Sequence, residues 1–463
     1  MRAACFSFLI FLFVMSGLGA AHAATYHVGV DLPGASDSNN GQSRESAFKT
    51  LGRAMEAAGP GDTILMYSGT YNESDLRFAR SGEPGMPITI AAAQNEFPSL
   101  YGSGQRGSGI LIEPGQGHYV FDGLTITNMG GSGIATDDST SQTFPDITVK
   151  NCTLSNNGWC GLELNAVDGF TVDTIVAEGN GFYGLNIGAS KDGDLSSSNG
   201  VVRNSRFANH TGEEGHGMAI NQGHHIEVTG CRAEHNRVHG FDVSDWPKEG
   251  EVSHHVTFEA NVSTDNGVAG FCVNSDSHHV LVVRNIAFRN GAAWGGHGSS
   301  SGFLSYEGLW EAQFINNVSV GNSDRGFDIV DPAGHFVRAD NNKLSFINNI
   351  TLDNGNPDWD ECFGLYVCQG PWELDIRSNN WAGCPSNEHA GVMGLNMNDD
   401  QGLIFTEDEV PGYGHGNVSV DPEFADPSGG DFRLRDGSPM IDAGADVGRP
   451  FEGAAPDMGA YER

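Results

Sequence analysis

A short phrase of residues recurs through the middle of this chain, and its spacing leaves few folds open. Val202-Arg-Asn-Ser, Val283-Arg-Asn-Ile, Phe314-Ile-Asn-Asn-Val and Phe346-Ile-Asn-Asn-Ile each open a unit. Gly217-Met-Ala-Ile, Gly240-Phe-Asp-Val, Gly270-Phe-Cys-Val, Gly302-Phe-Leu-Ser and Gly326-Phe-Asp-Ile close successive units, and Gly161-Leu-Glu-Leu, Gly184-Leu-Asn-Ile and Gly364-Leu-Tyr-Val extend the series outward. A period of about 23 to 32 residues belongs to a solenoid, not to a two-layer domain. Each unit holds two or three short apolar alternations separated by Asn, Gly, Asp and Ser, the pattern of brief strands joined by tight corners without helix. An all-β chain wound as a single parallel β-helix meets these constraints.

In such a coil Phe241 and Val243 point inward and the residue between them points to solvent. Phe241, Phe271, Phe303 and Phe327 should then share one face. The recurring Asn is read as a ladder of corner side chains bonded to the rungs above and below, because Asn tolerates left-handed corners and satisfies backbone groups there. Asn151-Cys-Thr, Asn261-Val-Ser, Asn317-Val-Ser and Asn349-Ile-Thr match the glycosylation pattern, but repeat position accounts for them.

Residues 1–23 read as a signal peptide: Arg2, an apolar run from Phe6 to Met15, and a small-x-small site at Ala21-His-Ala23. The protein is expected to be secreted, extracellular or periplasmic, with no membrane insertion, and to act as a monomer. Residues 24–120 hold an N-terminal cap and the first rungs, with an amphipathic helix over 46–58 that shields the open end of the coil. Residues 121–385 form the central repeats, and 386–463 the last rungs and an irregular C-terminal cap. Lys and Arg total 24 against 59 Asp and Glu, a formal charge of -35. That balance excludes nucleic acid as a partner and requires local cations or a metal to dock an anionic polymer. Cys152 and Cys231 share a column but stand three rungs apart, too far to bridge. Cys368 with Cys384 is the most plausible pair.

Aligning the rungs gives two columns. Before each repeat glycine stand Cys160, Tyr183, His216, His239, Ala269, Ser301, Arg325 and Phe363. The outward strand position carries Glu163, Asn186, Ala219, Asp242, Cys272, Leu304, Asp328 and Tyr366. Polar and ionisable groups crowd the middle rungs, the default place for a sugar chain on a solenoid. His216, His239, Asp242, Arg325 and Asp328 are the catalytic candidates. Glu163, Asn186, Lys248, His297 and Tyr366 are the substrate-binding candidates.

Both ends resemble those of secreted right-handed β-helix proteins of the polysaccharide lyase type, which makes the expected coil right-handed. Asn236-Arg-Val-His-Gly-Phe-Asp-Val-Ser-Asp, with Ala269-Gly-Phe-Cys-Val and Arg325-Gly-Phe-Asp-Ile, resembles the repeats around the active site of family 9 polysaccharide lyases. The resemblance implies calcium held by an Asp-Asp-Gly-x-Asp cluster and a lysine base. Here Val238 and His239 stand for the paired aspartates, only Asp242 matches, and Cys272 stands for the lysine. Calcium held by Asp242, Asp245 and Asp276 remains open, as does zinc on His216, His239 and Asp242. The acidic stretch from Asp353 to Glu361 lacks the alternation of a calcium loop.

The implied activity is cleavage of an acidic, uronate-containing polysaccharide by β-elimination. That reaction needs a carboxylate neutraliser, such as Arg325 or calcium, and a base, such as His239 or His216. Cys272 is a poor base beside carboxylates. His239→Ala and Arg325→Ala are expected to cut turnover with the fold intact. Two alternatives stand. Gly295-Gly-His-Gly looks like a fragment of a polygalacturonase signature, although Asp242 and Asp328 lie about 14 Å apart on this register. The other is a solenoid that binds carbohydrate without cleaving it, distinguished by whether the histidine face is an open groove.

Overall fold

A computed structural model describes residues 23–104, 107–244, 252–291, 300–306, 308–330, 343–355, 363–368, 373–382, 393–396, 403–405, 409 and 414–463. Short strands stack in register into three long sheets, the right-handed parallel β-helix expected from the repeats. One sheet runs from Thr25–Val28 to Glu373–Arg377, the second from Gly69–Tyr71 to Asn380–Trp381, and the third from Ile110–Ile112 to Met393–Asn396. Pairing within the coil is parallel, rung upon rung. Inside it Phe241, Phe271, Phe303 and Phe327 stack with ring centroids 4.9, 5.0 and 4.6 Å apart. Each such ring, removed from water, contributes roughly 1.5–3 kcal/mol.

Two asparagine ladders hold the corners. In one, Nδ2 of Asn261, Asn285, Asn317, Asn349 and Asn379 donates to Oδ1 of the next member, ending at Asn417, at 3.0–3.1 Å. In the other, Asn236, Asn266, Asn290, Asn322 and Asn354 are linked the same way at 2.8–3.0 Å. These amides are buried, so three of the four glycosylation matches are ladder positions, whereas Asn151 is exposed. The left-handed corner falls one residue before the first ladder, at Asn204, Ala260, Arg284, Asn316 and Asn348. Asn204 therefore does not align with Asn285 as its surrounding letters imply. Val202 pairs through Val228 and Phe258 with Val282, which leaves Asn204 on the outer corner bonded to Asp173.

His210 takes an asparagine slot in the second ladder. Its Nδ1 accepts the Asn180 N–H at 3.1 Å, and its own N–H donates to Asn236 Oδ1. The Nε2 atom is buried without a hydrogen-bond partner among the described residues.

At the N-terminal end the helix is shorter than expected, Leu51–Ala57. Phe48 is drawn into a bridge with Val28, its N–H donating to His27 O, so the backbone before Thr50 is extended. Thr50 Oγ1 then accepts the Arg53 N–H, and the Glu73 carboxylate accepts those of Leu51 and Gly52. Those bonds satisfy the first orphan donors of the helix. Leu51, Ala54 and Met55 close the core beneath it.

The C-terminal segment does more than cover the far end. After Gly414 it forms a hairpin, Phe424–Asp426 with Asp431–Leu434, and runs back along the second sheet. Phe424, Phe432, Leu434, Met440 and Met458 pack there against Ile286, Phe288, Val318, Val320 and Ile350. Cys152 and Cys231 are buried thiols that burial pushes up to about 12. Cys368 is buried and Cys384, its expected partner, lies outside the described residues. Among the described residues no helix is long and apolar enough to cross a membrane.

Candidate active site

The third sheet carries the second column in the expected order: Glu163 pairs with Asn186, Asn186 with Ala219, Ala219 with Asp242, Asp242 with Cys272, Cys272 with Leu304, Leu304 with Asp328 and Asp328 with Tyr366. The first column holds as well, each of its carbonyls accepting the repeat-glycine N–H of the rung before. Exposure differs from expectation. Asn186, Ala219, Asp242, Cys272, Leu304 and Asp328 are buried, not solvent-facing. Segments leaving and entering the sheet fold over this face and bring Asp138, Lys191, Glu214 and Tyr306 around it. The result is a cavity of about 700 Å³ with Glu163, Asn186, His216, His239 and Asp242 in its lining.

His216 is 6% exposed, and its ring stands 5.1 Å from that of His239 on the next rung. Its Nε2 lies 3.3 Å from Glu214 Oε2. That hydrogen bond holds the Glu214 carboxyl below the usual range, so the carboxylate accepts and Nε2 carries the proton. With the proton on Nε2, the lone pair of an uncharged ring lies on Nδ1. It is buried, has no hydrogen-bond partner among the described residues, and sits 4.0 Å from Asp242 Oδ2. A carboxylate, Glu214, behind one ring nitrogen and an open lone pair on the other is the arrangement of a general base.

His239 has the opposite constraint. The Ala269 backbone N–H, which can only donate, points at His239 Nδ1 at 3.1 Å. The lone pair is thus occupied and Nε2 bears the hydrogen. Burial holds this imidazole well below its ordinary value, so it stays neutral. The expected role of base does not fit His239, which is a hydrogen-bond donor.

Asp242 ends a chain of oriented polar groups along the cavity floor. Asn165 Nδ2 donates to Glu163, Asn186 Nδ2 to Asn165 Oδ1, and Asn221 Nδ2 to Asn186 Oδ1. Asn221 Oδ1 therefore faces Ser244 Oγ at 2.7 Å, and Ser244 Oγ lies 2.9 Å from Asp242 Oδ2. The Ser244 hydroxyl has one hydrogen for two acceptors, the Asn221 amide oxygen and Asp242 Oδ2, and a proton on Asp242 would complete both contacts. Burial raises the Asp242 carboxyl, against the neighbouring His216 and the hydrogen bonds from Ser244 and Cys272, which lower it. Glu163 at the other end is also raised by burial, while Ser132 and Asn165 donate to it.

Trp159 and Phe182 stack at 3.9 Å on one wall, with Trp159 43% exposed. Neither was among the expected site residues, nor were Glu214 and Lys191. The aromatic pair does have a signal: each stands two residues before the repeat glycine of consecutive rungs. No comparable pattern marks Glu214.

Arg325 and Asp328 are not part of this cavity. They stand three rungs from Asp242, beyond the apolar group of Ala269, Cys272, Leu304 and Tyr306. Arg325 Nη1 donates to the buried Asp328 at 2.7 Å, and the guanidinium lies over Tyr366 at 4.0 Å. Asp328, the nearby buried Asp324 at 3.8 Å and the Tyr366 ring occupy a cation expected to meet substrate. Lys248, His297 and Asp245 lie outside the described residues. Asp276 sits on a later corner, its carbonyl bonded to the Trp310 indole, and does not line the cavity.

Ligand atoms of His216, His239 and Asp242 lie within 4.8 Å of one another. With the His239 lone pair occupied, only His216 and Asp242 are left to ligate. Among the described residues this is neither the oxygen cage calcium takes nor the four ligands of zinc.

Comparison with known proteins agrees with the coil. Over 459 residues the chain is 25% identical to pectate lyase L of Dickeya chrysanthemi, covering 93% of this chain and 89% of that protein. The crystal structure of pectate lyase Pel9A superimposes with a TM-score of 0.56 at 20% identity, over 96% of this chain and 98% of that one. The structure of XylC with xylose gives 0.58 at 11% identity, over 87% of each chain. The two superpositions show a shared fold. The description "Pel9A-like, right handed beta helix region" matches residues 32–307, more than half of the chain, and the protein thus belongs to the Pel9A-like right-handed β-helix family.

Proposed function

We propose that this protein is an exported lyase that cleaves a uronate-containing polysaccharide by β-elimination. The observation that carries the reading is the pairing, in one cavity, of a Glu214-oriented His216 with an open Nδ1 and an Asp242 carboxyl that burial raises, which favours the proton it would give. An imidazole nitrogen with an open lone pair beside a carboxyl raised by burial can serve as base and acid. The sugar stacks on Trp159 and Phe182, and its carboxylate receives the His239 Nε2–H and the Lys191 ammonium. Those donors stabilise the charge that develops when the proton beside the carboxylate leaves. His216 Nδ1 takes that proton from C5. The C–H electrons form the C4–C5 double bond, the C4–O bond breaks, and Asp242 protonates the departing oxygen. His216 is then protonated and Asp242 ionised, 4.0 Å apart, so a proton returned from Nδ1 to Oδ2 resets the site.

The similarity to a pectate lyase makes pectate the first substrate to test. The alternative, a hydrolase, would use two carboxyls with a water or nucleophile between them and would leave no unsaturated product. The test is incubation of the purified protein with pectate, alginate and other uronate polymers, with and without chelator. Unsaturated products absorbing in the ultraviolet are expected, and they should be lost in His216→Ala. New reducing ends without that absorbance would refute elimination, and retention on polymer without cleavage would refute catalysis. Export is tested by sequencing the N-terminus of protein recovered outside the cytoplasm, expected at Ala24.

A further inference from the structure

On the first sheet, away from the cavity, three consecutive rungs each carry a His-His pair: His224-His225, His254-His255 and His278-His279. The second member of each pair sits in a left-handed corner, with φ of 55°, 51° and 53°. That kink turns the two rings of each pair toward one another. Their Nδ1 atoms are 2.9, 2.7 and 2.7 Å apart. Parallel stacking repeats the arrangement up the coil. His224, His254 and His278 stack at 4.8 and 5.0 Å, and His225, His255 and His279 at 4.8 and 4.5 Å. The outer row is exposed and the inner row half-buried. Nothing in the proposed lyase chemistry uses these six rings.

We propose that this ladder binds divalent transition ions of tetragonal preference, Cu²⁺ or Ni²⁺, each held by the two Nδ1 atoms of a pair. The bite decides the class. Two nitrogens at metal distances of about 2.05 Å are about 2.9 Å apart when cis at a right angle, and about 3.3 Å apart in a tetrahedron. The observed 2.7–2.9 Å lies at or just under the right-angle value and well short of the tetrahedral one. A second feature points the same way. Glu311 Oε2 lies 2.6 Å from His279 Nε2, which fixes the ring proton on Nε2 and turns the Nδ1 lone pair toward His278. A carboxylate behind a ring in this manner is the usual support of a metal-bound histidine. In the metal-free pair one Nδ1 donates a hydrogen bond to the other. On binding, the donor ring shifts its proton to Nε2, so a neutral pair releases none. Two dications one rung apart would weaken each other's binding roughly several hundredfold in water. The two outer pairs therefore fill first, and His278-His279, with its tautomer set by Glu311, binds tightest.

The experiment titrates the full-length mature protein with CuCl₂ alone, by calorimetry and electron paramagnetic resonance. Two ions per chain are expected, each with splitting from two imidazole nitrogens. The triple variant His225→Ala, His255→Ala, His279→Ala should lose both, whereas His216→Ala should keep both. His279→Gln, a single exposed change that guards against misfolding of the triple variant, should lose only the tighter ion. Equal binding by wild type and His279→Gln, or loss of the signal in His216→Ala, would overturn the assignment.

Discussion

His210→Asn should make the protein more resistant to acid, by an amount set by one buried ring. His210 stands where the second ladder otherwise places asparagine, with Nδ1 taken by the Asn180 N–H and no exposed surface. Burial pulls its imidazole from 6.5 to about 4. Above pH 6.5 neither folded nor unfolded chain is protonated at this position. As pH falls below 6.5 the unfolded chain gains a proton that the folded chain refuses until about pH 4, so stability is lost through that window. Linkage gives about 2 kcal/mol lost at pH 5 and about 3 kcal/mol at pH 4. Asparagine does not titrate and can bond to both neighbouring rungs, replacing the buried Nε2 that has no partner among the described residues. The assay is denaturant unfolding of wild type and His210→Asn from pH 7.5 to pH 4, comparing midpoints at unchanged slope. His239 and the carboxylates titrate in both proteins and cancel in the difference. Profiles that stay parallel within about 0.5 kcal/mol would refute the reasoning.

Other outcomes follow from the cavity and its neighbour. Glu214→Gln should lower kcat by about a hundredfold or more, because an amide can donate to His216 Nε2 and drive the proton onto the catalytic nitrogen; a steady-state assay on the cleaved polymer checks this. Trp159→Ala should raise KM roughly tenfold, the worth of one stacking contact, with kcat nearly unchanged. Arg325→Ala should destabilise the fold by about 3–5 kcal/mol, since it withdraws the guanidinium from the buried Asp324 and Asp328. Its thermal midpoint should fall while any protein that remains folded keeps its kcat.

The rung register is legible in the sequence because the Gly-apolar-x-apolar phrase repeats with its Phe in a fixed place, and Asp242, Cys272, Leu304 and Asp328 fall in the written order. Two kinds of information are not carried by that phrase. One is which outward positions are covered, since burial of Asp242 depends on segments that reach back over the face from Lys191, Glu214 and Tyr306. The other is protonation. Whether His239 is a base turns on where the Ala269 N–H points, thirty residues away along the chain, and no local pattern encodes it. The division between the histidine set and Arg325 is written in the column itself, where Cys272 and Leu304 interrupt the polar run.

The C-terminal segment changes how the coil can come apart. A solenoid held only by contacts between adjacent rungs can fray from an end, one unit at a time. Here Arg449 reaches Glu259 across 190 residues, Arg284 reaches Pro450 across 166, and Asn316 bonds to Asp457 across 141. Those ties span several rungs at once, so none of them can open alone while the segment stays in place. Folding inherits the same constraint, because contacts so distant in sequence close late. The segment after Gly414 thereby acts as a latch that converts a row of separable coils into one cooperative block, and the proposed lyase cavity reaches into that block at Asn274 and Tyr306.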